Sequence, residues 1–364
     1  MSYQVPDQNL IIETAIGEED VRFYDVRKPP FDVYGLYNYR EEPDFKRLPD
    51  EVAKNVNPGV AKLYLNTAGG RVRFCTDSQY VAIKAEMPIM CHMTHMAMIG
   101  SAGFDLYVDS PETGMSRFWK PFRPAPNAQG GFESKVKFAE RKKRWFTINF
   151  PTYSNVRNLY IGLQADAKVG EGMKYRSELP IVYYGSSITQ GGCASHPGNI
   201  YQNVISRQLN LDYINLGFSG NGKGEDTIVN YMASLPMLAF VCDYDHNAPT
   251  AEHLANTHCK LYKAIRAAHP DIPYIMASRT DDISSAYELR MQNRDVVMDT
   301  FRYARANGDK NVYYIDGGEI FRGPYEDQCT IDGAHPTDVG FALMADTFGS
   351  ALRQALMKDS IGKY

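Results

Sequence analysis

After residue 180 the sequence alternates short apolar runs with longer helical patterns, and that alternation constrains the fold more than any other feature. The runs "PIVYYG", "LDYINLG", "MLAFVCD", "PYIMAS" and "NVYYID" are separated by segments such as "NIYQNVISRQLN" and "AEHLANTHCKLYKAIRAAH". Five strands interleaved with helices make right-handed βαβ units and a parallel sheet with helices on both faces. Such a sheet puts its ligand crevice outside the C-terminal ends of its strands. Before residue 180 the pattern is different. "RVRFCT", "YVAIKAEM", "FDLYVD", "WFTINF" and "NLYIGLQ" alternate, or carry β-branched and aromatic residues, between clusters of Gly, Pro, Asn and Asp. That composition predicts a β-sandwich. At 364 residues the chain exceeds the roughly 100 to 200 of a single domain. Two domains are therefore expected, 1–175 as the sandwich and 176–364 as the α/β domain, with the polar stretch Ala165 to Glu178 as linker.

The residues that follow each parallel strand carry the chemistry. After the first strand come Gly185-Ser186-Ser187-Ile188-Thr189, and after the second Gly217-Phe218-Ser219-Gly220-Asn221-Gly222. After the third come Asp243-Tyr244-Asp245-His246-Asn247, and beyond the fifth comes "DGAHP", with Asp332 and His335 three apart. In a doubly wound sheet all four segments meet at one edge. Acyl transfer needs this set: a hydroxyl to attack, an imidazole to take its proton, a carboxylate to orient the imidazole, and donors for the oxyanion. Each piece also has a plain reading. A Gly-Ser-Ser turn after a strand serves as a helix N-cap, and "DGAHP" serves as a turn in which Asp332 caps and Pro336 opens a helix. Unrelated caps, however, have no reason to supply these groups together in chain order.

The order Ser, Gly, Asn, then Asp-x-x-His is similar to the four blocks of the SGNH (GDSL-like) hydrolase superfamily. The resemblance implies a flavodoxin-like catalytic domain in which Ser187 is the nucleophile and Asp332 and His335 complete the triad. It makes the Ser187 and Gly220 amides and the Asn247 side chain the oxyanion donors. Upstream, "AGFDLYVD" contains Gly103 to Tyr107, which resembles the Gly-x-Asp-Leu-Tyr signature of a jelly-roll-like β-domain preceding SGNH domains in carbohydrate esterases. Departures from the family pattern are Ser186 in place of Asp, Asp245 in place of Gly, and Ala248 in place of Asp. The resemblance implies a serine esterase removing short acyl groups, acetyl above all, from sugars or oligosaccharides. The alternatives are a lysophospholipase or thioesterase using the same triad, and a carbohydrate-binding protein without turnover.

Other features narrow the field. A formal net charge of -4, with 44% hydrophobic and 23% charged residues, offers no general attraction for nucleic acid or anionic membrane. "GFSGNGKG" approaches a phosphate-binding loop, but Gly224 stands where that motif needs Ser or Thr for magnesium. No G-x-S-x-G elbow is present, which removes Ser219 as a nucleophile. Six cysteines without a C-x-x-C pair indicate neither a zinc site nor a disulfide framework, and no cofactor is expected. "CHMTHMAM", Cys91 to Met98, holds soft metal ligands, yet on a strand His92 and His95 would face opposite ways. That segment is expected to border the cleft instead, with His95, Asp105 and His246 as candidate substrate contacts. Trp119 and Trp145 are candidates for a sugar-stacking surface or for core. The sequence as given opens without a signal-peptide pattern, which leads to the expectation of a cytoplasmic protein. Homo-oligomerisation stays open.

Overall fold

The alternation in "RVRFCT" and "FDLYVD" sets the architecture of the first half, as seen in a computed structural model that describes residues 15–280 and 287–361. Ten strands build two antiparallel sheets: β1 Val21–Asp25, β2 Asp32–Tyr34, β3 Arg71–Thr76, β4 Tyr80–Met87, β5 Phe104–Ser110, β6 Met115–Phe122, β7 Gly130–Lys137, β8 Arg144–Asn149, β9 Asn158–Gln164 and β10 Val169–Glu171. Helices α1 Asp50–Val56, α2 Val60–Leu63 and α3 Met98–Ala102 lie between them. One sheet has the order β1-β9-β4-β7; the other has the order β10-β3-β8-β5-β6, with β2 also paired to β3. Successive side chains on a strand face opposite ways. Val72, Phe74, Leu106, Phe146 and Ile148 therefore enter the core between the sheets. Arg71, Arg73, Asp105, Tyr107, Thr147 and Asn149 form the opposite face, aligned across β3, β8 and β5. All six are buried, because that polar face packs on the second half of the chain.

In the second half, β11 Ile181–Gly185, β12 Tyr213–Gly217, β13 Ala239–Asp243, β14 Tyr274–Ala277 and β15 Val312–Ile315 form one parallel sheet in the order β12-β11-β13-β14-β15. Counted from its first strand this is 2-1-3-4-5, the flavodoxin-like order, whose switch point lies between β11 and β13. Strands buried on both faces read as continuous apolar runs, as in "IVYYG" and "AFVCD". The short helix α4 Ser187–Gln190 follows β11, and α5 Tyr201–Leu209, α6 Asp226–Ser234, α7 Ala251–Ala268, α8 Tyr287–Ala306 and α9 Asp338–Ile361 cover the sheet. Tyr183, Tyr213 and Val241 pack with Tyr201 and Ile205 of α5 and with Phe341 and Phe348 of α9. Tyr184, Leu216 and Phe240 pack with α6, α7 and α8 on the other face.

The division at residue 175 does not separate two self-contained cores. Leu48, Ala53, Val60 and Tyr64, on and around α1 and α2, sit in the same cluster as Leu216, Phe218 and Ile228. Helices of one or two turns carry too few apolar positions for a periodicity to show, so this part of the chain reads as loop in the sequence. The expected linker is likewise structured. It contains β10, and its Tyr175 lies beneath Arg73 at 4.1 Å and accepts a hydrogen bond from Arg71 Nε at 3.0 Å. Deletion of residues 1–175 should therefore give an aggregating fragment, since it strips α1 and α2 from the parallel sheet and exposes apolar core. Size-exclusion chromatography and a denaturation curve check this; a monomeric fragment that unfolds cooperatively would contradict it.

Candidate active site

Strand β11 delivers two serines to the C-terminal edge of the sheet, and the helix that follows gives them different tasks. Ser186 is fully buried, and its Oγ accepts from the Ile188 amide at 3.2 Å, as an N-cap does. Ser187 opens α4 with its Oγ 2.8 Å from His335 Nε2. His335 Nδ1 lies 2.7 Å from Asp332 Oδ2. An ionised carboxylate only accepts, so Nδ1 carries the proton and Nε2 is free to receive the serine hydrogen. Asp332 Oδ1 accepts from the amides of Ala334 at 3.0 Å and His335 at 2.8 Å, which ties the carboxylate to its own turn. Burial alone would raise the Asp332 pKa, but the His335 amide, the His335 ring and the Ala334 amide together hold it below the usual carboxylate range. Asp332 thus caps a local turn rather than α9, whose start at Asp338 has Thr337 before it, donating through Oγ1 to Gln328 O at 2.6 Å.

The expected oxyanion donors occupy the same edge of the sheet. The amide of Ser187, at the first helical position, lies outside the ladder of α4. Gly220 is exposed with φ at +68°, a left-handed conformation that turns the loop after β12. Asn247 ends a single 3-10 turn after β13, and its Nδ2 donates to Phe218 O at 2.9 Å, which leaves its second hydrogen for a ligand. Sequence reasoning missed the group that anchors this region from the N-terminal side. Arg47, fully buried, donates to Gly217 O at 2.6 Å, Asn215 O at 3.2 Å and Leu63 O at 2.7 Å. Its guanidinium lies 4.5 Å from the centre of the Phe218 ring, and burial pushes its pKa down to about 9. No motif marks Arg47, because its partners are backbone carbonyls and an aromatic face far away in sequence.

Of the candidate substrate contacts, His95 lies in the exposed turn before α3, its ring centroid 6.2 Å from that of His335. His246 lies half-buried in the turn that carries Asn247. Asp105 is a correction: it is fully buried and does not face the cleft. Its Oδ1 accepts from Asn149 Nδ2 at 2.6 Å, and its Oδ2 accepts from the Gly198 amide at 2.6 Å and lies 2.5 Å from His196 Nδ1. Tyr107, on the same face of β5, packs so closely on Gly198 that a Cβ there would lie 2.3 Å from its hydroxyl. Gly103 of the same signature ends α3. Asp105 and Tyr107 therefore clamp the segment 195–199, and Ser195 in turn binds Asp338 through its amide at 3.0 Å and its hydroxyl at 2.5 Å. Phe118 stacks on His196 at 4.6 Å, Trp119 leans on Phe138 at 5.4 Å, and Lys143 covers Trp145 at 4.6 Å. Among the described residues no group of three or more His, Cys, Asp or Glu side chains gathers as a metal site.

Residues 178–353 match the GDSL-like Lipase/Acylhydrolase family, and residues 21–169 match the family GxDLY, the N-terminus of Esterase_SGNH_hydro-type. Among solved structures, a Bacteroides ovatus ATCC 8483 protein described as a GDSL-like lipase is 26% identical, with a TM-score of 0.83 over 92% of this chain and 98% of that one. A salicylyl-acyltransferase from a tetracycline biosynthetic pathway is 20% identical, with a TM-score of 0.73 over 95% and 99% of the two chains. A family two carbohydrate esterase from Cellvibrio japonicus is 12% identical, with a TM-score of 0.60 over 92% and 98%. The last two show a shared fold. No protein of curated function matches the sequence.

Behind the site, β13 ends in a buried carboxyl, Asp243, whose Oδ2 has no hydrogen-bond partner among the described residues. Burial, and then the nearby Asp245, push its pKa well above the ordinary carboxylate range. The folded protein thus keeps a proton that the unfolded chain loses above about pH 3.9. Its contribution to stability is complete below that pH and is lost as pH rises. Asp243→Asn, which cannot ionise, should raise Tm relative to the parent at pH 8, with a gain that shrinks toward pH 4. Paired thermal melts across that range test it; a gain independent of pH would refute it.

Proposed function

We propose that this chain, whose residues 178–353 match the GDSL-like Lipase/Acylhydrolase family and whose residues 21–169 match the GxDLY family, works as a serine esterase removing short acyl groups from sugars. The observation that carries this reading is the relay from Ser187 through His335 to Asp332, at 2.8 Å and 2.7 Å. His335 Nε2 takes the proton of Ser187 as Oγ attacks the ester carbonyl. Asp332 stabilises the imidazolium that results. The tetrahedral oxyanion is held by the amides of Ser187 and Gly220 and by the free hydrogen of Asn247. His335 then returns its proton to the departing alcohol, and water repeats the sequence on the acyl-enzyme. No metal or cofactor takes part in these steps.

The alcohol leaves on the His335 side, so groups next to that ring border the leaving group. His95 stands there, supplied by the sandwich half, and gives a sugar a polar neighbour. The sugar assignment also draws on the likeness to proteins described as family two carbohydrate esterases. A lysophospholipase or thioesterase would instead grow faster with acyl length.

Ser187→Ala should lower kcat on p-nitrophenyl acetate by about 10⁴-fold or more while leaving the melting curve intact. Across p-nitrophenyl acetate to octanoate the rate should be highest for the short chains, and exhaustive chelation should leave it unchanged. Rates that climb to octanoate would replace the sugar reading with a lipid or thioester one. His95→Ala should raise KM for acetylated oligosaccharides severalfold with little change on p-nitrophenyl acetate, whose leaving group is small. Equal losses on both substrates would remove His95 from sugar recognition.

A further inference from the structure

The loop bearing Gly220 runs from the end of β12 to the start of α6, and it is fixed from outside itself. Arg47 holds Gly217 O, Asn247 holds Phe218 O, and Asn57 Nδ2 donates to Asn221 O at 3.1 Å. The remaining tie is the most direct. The amide of Ser219, one residue before Gly220, donates to Gln190 Oε1 at 3.0 Å. Gln190 is the last residue of α4, the four-residue helix that Ser187 opens, so a single turn carries both the hydroxyl and the acceptor for the neighbouring loop.

Gln190 is completely buried, and both hydrogens of its amide are engaged. Nε2 donates to Thr152 O at 3.1 Å and to Asn66 Oδ1 at 3.0 Å. The partners leave no freedom to exchange oxygen and nitrogen, since the Ser219 N–H requires an acceptor and the Thr152 carbonyl requires a donor. Asn66 precedes β3 and Thr152 follows β8, so both anchors belong to the sandwich half. Asn66 is itself held, donating from Nδ2 to Asn155 Oδ1 at 2.8 Å.

We infer that Gln190 is a positioning residue: gripped by Asn66 and Thr152, it sets the Gly220 amide relative to Ser187 by holding the Ser219 N–H. The inference rests on the esterase reading above and adds that the sandwich half tunes the oxyanion site itself, not only the sugar side of the cleft. The oxyanion exists in the transition state and not in the bound ester. A displaced donor therefore lowers kcat and spares KM.

The test compares Gln190→Met, Gln190→Glu and Asn66→Ala with the parent on p-nitrophenyl acetate, with thermal melts alongside. Gln190→Met should lose about 10- to 100-fold in kcat with KM within about twofold, less than or equal to the loss of a whole oxyanion donor. In Gln190→Glu only the protonated acid can donate to Thr152 or Asn66, and burial raises its pKa. The ratio of its kcat to the parent's should therefore rise as pH falls from 9 to 6. Asn66→Ala keeps Gln190 and removes one anchor, so a smaller fall in kcat at unchanged KM is expected, and this variant decides the matter if Gln190→Met does not fold. Parent-like kcat in a folded Gln190→Met or Asn66→Ala, or a flat ratio for Gln190→Glu, overturns the inference. End-point phosphorylation of Ser187 by diethyl p-nitrophenyl phosphate, read by mass, separates the two readings. A labelled Ser187 with parent-like Gln190 variants sinks this inference alone, whereas full turnover in Ser187→Ala sinks the esterase reading.

Discussion

Arg71 of the sandwich meets Asp212 of the parallel-sheet half across the contact between them, and it also donates to Tyr213 O at 3.0 Å. The same guanidinium lies 3.9 Å from the centre of the Tyr213 ring. This pair belongs to a wider polar sheet face, with Arg73, Asp105, Asp109, Thr147 and Asn149, that is buried nearly everywhere. A buried charge left without its partner costs about 3 to 5 kcal/mol. Each of these groups therefore works only if the other half supplies or permits its partner. Thr147 Oγ1 donates to Asp109 Oδ2 at 2.7 Å and accepts from Arg73 Nε at 3.0 Å, while Asp105 is completed by Gly198 and His196 from the far side. A polar interface of this kind fixes register more sharply than apolar packing, because a shift of one residue would strand several groups at once.

That register passes to the site. Asp105 and Tyr107 grip the segment 195–199, Ser195 of that segment binds Asp338, and Asp338 begins the helix just after His335. On the opposite side Arg47 and Asn57 hold the loop that presents Gly220, and α1 and α2 complete the core beneath it. The β-domain thus braces both flanks of the proposed catalytic edge: the His335 side through 195–199, and the Gly220 side through Arg47 and through Asn66 and Thr152, which hold Gln190. Tyr153 adds a third contact, its hydroxyl donating to Ser187 O at 3.3 Å. The two halves are two folds built around one site.

Much of this was legible in the chain, and the reason is local. Parallel strands buried on both faces must be apolar runs, so all five strands of the second half stood out, and the residues just after them could be placed at one edge by topology alone. That placement brings the Gly-Ser-Ser segment and the Asp332/His335 pair to one edge, whereas the choice of Ser187 over Ser186 comes from the resemblance to the SGNH pattern. Helices α1 and α2 did not stand out, being too short for a period. The strand β10 was hidden inside a polar stretch because its pairing with β3, not its own composition, makes it a strand.

The alternation of polar and apolar residues in "RVRFCT" and "FDLYVD" determined by itself which face of each strand enters the sandwich core, because side chains on a strand alternate with period two. It did not determine what the polar face meets. Water and a second domain both satisfy Arg71 or Asp105 as far as the sequence is concerned, and only the tertiary structure decides that Asp105 reaches Gly198, 93 residues on, rather than a substrate. The same holds for Arg47 and Gln190. Their roles consist largely of hydrogen bonds to backbone groups, which nearly all residue types present alike, so no pattern of side chains can announce those partners.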